Sequence, residues 1–213
     1  GILVMLITSR NAFALFLLLT SVNINAADET SMNSMKNCTS SGELHFVCGI
    51  SAPEDLVIVP GTDWIVSGVM SAKDQTGLFL VNSLSKVVRP LYSSEVGGNR
   101  LNRNLYGACP QAPNLSNFES HGLAIQTYSN DQEVYSLYVV SHGDREAIEV
   151  FELDASSHVP EVTWIGCVLM PETLVANDVS AMRDGTILAT VLIHPGFGFD
   201  DILSGEPTGG VYK

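Results

Sequence analysis

The chain is 213 residues long, enough for a domain with a sizeable core. Its formal net charge is −13 and its pI about 4.5. That argues against nucleic acid as a partner, because phosphate binding needs a basic face. The plain use of such acidity is solubility; the sharper one is affinity for a hard cation.

The first segment reads GILVMLITSRNAFALFLLLTSVNINAADETS. Arg10 precedes an apolar run from Ala12 to Leu19, and small and polar residues follow up to Ala26-Ala27. This is the layout of a secretory signal. It predicts a signal peptide over residues 1–26, with Met5 as a start and a cut after Ala26, followed by an N-terminal segment over 27–51. An uncleaved anchor is the alternative, although the apolar run is short for a membrane span. Export predicts a secreted or periplasmic protein in an oxidising compartment. Cys38, Cys48, Cys109 and Cys167 then form up to two disulfides, with three pairings open. No Cys-x-x-Cys pair or Cys/His cluster has zinc spacing, so zinc is not expected.

After this segment, short apolar runs alternate with Gly, Pro, Asn and Asp turns, which predicts an all-β chain. A first meander runs Asp55–Val59, Trp64–Val69, Leu78–Asn82 and Lys86–Leu91. A second runs Gly122–Thr127, Val134–Ser141, Ala147–Leu153 and Val162–Val168. A third begins at Asp178–Met182, turns at Arg183-Asp184-Gly185 and returns through Thr186–Ile193. Their first strands open alike, on Glu54-Asp55-Leu56, His121-Gly122-Leu123 and Asn177-Asp178-Val179. The spacing is uneven because Ser93–Ser120 is a long insertion. Four-stranded repeats of roughly 40–50 residues are the mark of propeller blades. Residues 52–213 would then hold two blades and part of a third. The terminal GEPTGGVYK reads as a turn entering a strand, which predicts that the chain is a fragment of a longer protein.

In a propeller the first strand of each blade lines the central channel, so Glu54, His121 and Asn177 should converge at one mouth. Ser-His-Gly occurs twice, at Ser120-His121-Gly122 and Ser141-His142-Gly143. The second ends the antiparallel neighbour of the strand that the first begins. His121 and His142 should therefore lie side by side. Against this stands the ordinary use of Asp, Asn and Gly in turns, and of a histidine as a hydrogen-bonded structural residue.

Three stretches carry a family likeness. They are Pro53-Glu54-Asp55-Leu56; His121-Gly122-Leu123 with Leu137–His142 and Ile148–Phe151; and Asn177-Asp178-Val179. Here the chain resembles the paraoxonase, gluconolactonase and senescence-marker-protein (regucalcin-like) superfamily of calcium-dependent hydrolases, over roughly Ala52 to Thr190. The resemblance implies a six-bladed β-propeller, of which about the first half is present. It implies Glu54 and Asn177 as ligands of a catalytic Ca²⁺. It implies Asp55, Asp178 and the backbone carbonyl of Leu123 as ligands of a second, structural Ca²⁺. His121 and His142 match a histidine pair assigned to general-base work. The remaining ligands would come from later blades, and the pattern fades over Thr190–Asp201. The donor chemistry agrees independently, since Ca²⁺ takes carboxylate, amide and carbonyl oxygens.

The expected function is that of a secreted, calcium-dependent hydrolase of lactones or aryl esters. The metal would polarise the carbonyl and histidine would assist attack by water. The nucleophile motif Gly-x-Ser-x-Gly is absent, which counts against an α/β-hydrolase. The alternative is a non-catalytic propeller that binds a small ligand or protein at the channel mouth. Natural substrate and oligomeric state are left open by the residues.

Overall fold

The computed structural model describes residues 38, 41–70, 74–127 and 133–213. The expected signal peptide, and all of the segment after it except residue 38 and residues 41–51, lie outside the described residues. The described chain is all-β, built from three sheets and one short helix.

The first sheet is an antiparallel meander of β1 (Pro53–Ile58), β2 (Trp64–Val69), β3 (Leu78–Asn82) and β4 (Val88–Tyr92). Its turns are closed by short polar side chains. Thr62 Oγ1 donates to the Val59 carbonyl at 3.0 Å, and Asn82 Oδ1 accepts from the Ser85 amide at 2.8 Å. The second sheet orders its strands β5-β9-β8-β7-β6. Here β6 is Phe118–Thr127, β7 Val134–Gly143, β8 Ala147–Asp154 and β9 Glu161–Leu169. The two-residue β5 (Gly98–Asn99) pairs in parallel with β9. The third sheet is β10 (Ala176–Ala181), β11 (Ile187–Val191) and β12 (Gly210–Tyr212), with helix α1 (Phe199–Leu203) between the last two.

The second sheet is sandwiched, and β7 shows how. Its side chains alternate between faces, as a period of two requires. Leu137 and Val139 pack with Trp64, Val66 and Leu80 of the first sheet. Tyr138 and Val140 pack with Ala176, Val179 and Ala189 of the third. Each fully buried aliphatic or aromatic side chain contributes about 1.5–3 kcal/mol of transfer free energy. At the sheet edges that matter for the site, β6 touches both β1 and β10.

Two expectations shift in detail. Strand β6 starts at Phe118 rather than Gly122, because Phe118 is wholly buried and meets Tyr92 edge-on at a centroid distance of 6.2 Å. His121 therefore lies inside the strand rather than at its entry. The long insertion is not merely a loop. It adds β5 to the second sheet, and Cys109 within it is bonded to Cys167 on β9. The other disulfide joins Cys38 to Cys48, which selects one of the three possible pairings.

Candidate functional site

The pairing of β6 with β7 slips between Ser120 and Leu123, so His121 and Gly122 sit in a bulge. A bulge re-aims a side chain, and here it is anchored on both sides. Before it, the buried Ser120 Oγ accepts from the Val69 amide at 2.7 Å and lies 3.0 Å from the Gly77 carbonyl, tying β6 to the first sheet. After it, the Leu123 amide donates to Asp55 Oδ2 on β1 at 2.7 Å. Gly122 is required by close approach. A Cβ there would stand 2.5 Å from Asp178 Oδ1 and 2.9 Å from the Asn177 carbonyl oxygen. Asn177 and Asp178 of β10 thus sit directly against the His121-Gly122 backbone.

The second Ser-His-Gly behaves differently. Ser141 Oγ is buried and has no hydrogen-bond partner among the described residues. Gly143 takes φ +82°, and a Cβ there would run into the Asn117 carbonyl. The two triplets are two different local structures whose histidines meet.

They meet within a row of four side chains. Glu54 Oε1 lies 2.9 Å from His121 Nε2, His121 Nδ1 lies 3.2 Å from His142 Nε2, and His142 Nδ1 lies 2.7 Å from Glu146 Oε2. The rings are 5.3 Å apart between centroids and tilted by 56°. Both imidazoles are largely buried, while the carboxylates at either end reach solvent. Proton counting limits what this row can be. Three contacts in series need three protons, and two neutral imidazoles supply two. A complete row therefore carries one proton more than two neutral rings between two carboxylates.

The two histidines and Glu146 of this row line a cavity of about 520 Å³. Asn177 and Glu119 join His121, His142 and Glu146 in lining it. The lining also has an apolar part, with Val175, Leu192, Phe197 and Phe199, and a third histidine, His194. Tyr212 Oη lies 2.9 Å from His194 Nδ1. Glu146, His194 and the apolar wall were not singled out in the sequence. Glu146 had a usable signal, since a tight β7–β8 turn brings a residue four positions on back to His142. Phe197 precedes, and Phe199 begins, a five-residue helix too short to show a period.

Of the five expected metal ligands, Glu54 and Asn177 stand beside the histidine pair, Glu54 in contact with His121 and Asn177 on the shared cavity wall. Asp55 is engaged with backbone amides, Oδ2 with Leu123 and Oδ1 with Leu56 at 2.7 Å each. Leu123 thus meets Asp55 through its amide N–H. Asp178 Oδ1 accepts from the Val179 amide at 2.7 Å. In kind, these carboxylate and amide oxygens fit a hard cation. In number they do not complete a shell, and no group of three or more His, Cys, Asp or Glu placed to hold a metal occurs among the described residues.

Behind the row lies a buried ion pair. Glu149 is fully buried on β8. It accepts from Arg145 Nε at 2.8 Å, from Arg145 Nη2 at 2.9 Å and from Trp164 Nε1 at 2.7 Å. Burial pushes its carboxyl above the usual range, and the Arg145 and Trp164 contacts pull it back. Arg145 precedes Glu146, so this pair pins the turn that carries the end of the row. No protein-family model matches the chain, and no curated protein matches it.

Proposed function

We propose that the chain contributes the first half of a six-bladed β-propeller hydrolase that acts on lactones or aryl esters and depends on Ca²⁺. The observation that carries this reading is the contiguous row Glu54–His121–His142, whose two histidines line a cavity together with Asn177 and several apolar side chains. Such a cavity suits a substrate with an apolar arm and one reactive carbonyl. Export to an oxidising compartment, secreted or periplasmic, belongs to the same reading and is compatible with the two disulfides.

Glu54 and Asn177 would hold the catalytic Ca²⁺, with Asp55 and Asp178 serving a structural one. When bound, the metal supplies Lewis-acid stabilisation of charge on the carbonyl oxygen. The chain's own part is to handle a proton. His121 takes a proton from water as the water oxygen bonds to the carbonyl carbon. The bond from that carbon to the alkoxide or aryloxide oxygen then breaks, and the proton returns to the departing oxygen. His142 orients His121 and shares the charge. Phe197 and Phe199 hold the apolar arm and help exclude water.

The test is calcium titration of the intact protein alongside turnover of a panel of lactones and phenyl esters. His121→Gln should leave calcium affinity nearly unchanged and cut turnover about a hundredfold or more, the scale of losing a general base. Glu54→Gln should weaken calcium binding by removing a charge from a hard-cation site. A parent protein that binds no calcium and turns over nothing on the panel would overturn the reading in favour of ligand binding.

A further inference from the structure

The cleft between the second and third sheets has two ends. Ser136, Tyr138 and His142 lie on one face of β7, since side chains alternate along a strand. His142 lines the first cavity, while Ser136 and Tyr138 line a second one, of about 640 Å³, toward the other end of the strand. We propose that this second cavity is a binding site for a small hydroxy acid, a molecule with an apolar body, a hydroxyl at one end and a carboxylate at the other. The proposal does not depend on the hydrolase reading.

The body of the site is apolar. Leu105, Val168, Leu169 and Met182 line it and are exposed, and Ile187 joins them. Single exposed apolar side chains are ordinary, but four around one cavity of ligand size mark a binding surface. The walls are fixed. Cys167 in the lining is bonded to Cys109, which ties the long insertion to β9. Tyr106 of the insertion lies flat against Gly166, where a Cβ would run into its ring. Across the cavity, Gln126 Nε2 donates to the Ala181 carbonyl at 3.1 Å and joins β6 to β10.

Polar groups enter this apolar lining at two places. Ser136 and Tyr138 are each only 7% exposed, and neither hydroxyl has a hydrogen-bond partner among the described residues. Neither is sealed in, because Ser141 Oγ is the one partnerless side-chain atom cut off from solvent among the described residues. Both hydroxyls therefore open onto the cavity, where each can donate to and accept from a ligand hydroxyl. The second place is Arg183, in the turn between β10 and β11. It is the only charged side chain among the described residues of the lining, and it makes no ion pair among them. A guanidinium matches a carboxylate in geometry as well as in charge. The chain as a whole carries −13, so its long-range field favours cations. A preference for an anion in this cavity must therefore come from Arg183.

The test is calorimetric titration of the intact protein, at about 0.15 M salt, with three probes of one skeleton. They are para-hydroxyphenylpropionate, phenylpropionate, which lacks the hydroxyl, and tyramine, in which an ammonium replaces the carboxylate. The hydroxy acid should bind saturably and tightest. Phenylpropionate should bind about fivefold more weakly, the scale of one hydrogen bond, and tyramine about three- to fivefold more weakly, the scale of one exposed ion pair. Ser136→Ala with Tyr138→Phe should erase the preference for the hydroxyl and keep that for the anion. Arg183→Gln should do the reverse, and as an exposed change it keeps the proposal testable should the double variant fail to fold. No saturable binding by the parent, equal affinity for the hydroxy acid and tyramine, or an anion preference that survives Arg183→Gln overturns the proposal. So does a hydroxy-acid affinity that falls in Phe199→Ala and not in Arg183→Gln, because the probe then occupies the first cavity.

Discussion

The two walls of the cavity are built to different standards. The wall carrying His142 belongs to β7, buried without a break from Tyr135 to His142 and packed on both faces. The apolar part of the lining follows β11 of the third sheet. There β12 has no buried residue, and Leu192, Phe197 and Phe199 stand half to mostly exposed. The difference follows from packing. A strand with cores on both faces has its rotamers and register held by neighbours on each side, whereas a sheet with one core yields at low free-energy cost. Proton handling needs nitrogen atoms held to a fraction of an ångström, and the row of histidines sits where the molecule can hold them. In the proposed hydrolase, contact with an apolar arm tolerates adjustment, and it falls to the lightly held wall.

If that contrast is right, the largest loss should come from the support behind the histidine wall. Glu149→Gln leaves Arg145 partly buried with one acceptor gone. It should lower unfolding free energy by about 3–5 kcal/mol, as expected for breaking a buried pair from one side. Denaturant unfolding of the intact protein measures this. The pH dependence adds a check of sign. Burial raises the folded-state affinity of Glu149 for its proton above the ordinary value near 4.5. A group raised in this way contributes stability that is complete below that value and is lost as pH climbs through the raised one. The parent should therefore show a stability decline beginning near pH 4.5 that Glu149→Gln lacks. An unchanged slope would remove Glu149 from the account.

A smaller loss is expected where β6 is tied to the first sheet. Ser120→Ala strands the buried Val69 amide, which donates to Ser120 Oγ at 2.7 Å. An unsatisfied buried donor costs about 1–3 kcal/mol. Because Ser120 adjoins the bulge, the imidazole signals of His121 should also shift. Stability loss without any change at His121 would show that the bulge is held by Asp55 and Gly122 alone.

The sheets were legible because their signals are local. Alternating apolar runs bounded by Gly, Asn and Asp mark Trp64–Val69, Leu78–Asn82 and Ala147–Leu153, the last running one residue further to Asp154 in the structure. The meeting of His121 and His142 was legible too, since antiparallel neighbours bring a strand's start beside its partner's end. What stayed hidden depends on geometry that periodicity does not encode. The bulge at His121-Gly122 arises from Asp55 and Asp178, which reach it from strands distant in sequence. Glu149 is one of three acidic residues in its strand, with Glu152 and Asp154, and its meaning appears only once Arg145 and Trp164 are placed around it. The disulfide partners of Cys109 and Cys38 likewise required the insertion to be laid along β9.

The smallest effect on stability should come from the apolar wall, and there the contrast can be sharpened most. Phe199 is 70% exposed at the start of α1 yet lines the cavity. Phe199→Ala removes little buried surface, so unfolding free energy should change by no more than about 0.5 kcal/mol, as for most surface positions. Its effect should appear in binding instead. Removing contact with an apolar arm removes affinity that ground state and transition state share, which raises KM and leaves kcat near the parent value. An ester with a long or aromatic acyl group should show a KM increase of several-fold, and an acetyl ester almost none. Measuring both esters with parent and variant decides the matter. If Phe199→Ala destabilises the protein as much as Ser120→Ala does, the third sheet is not lightly held. If instead kcat falls while KM stays constant on both esters, the apolar wall acts on the reacting atoms, and the division of labour between the two walls is wrong.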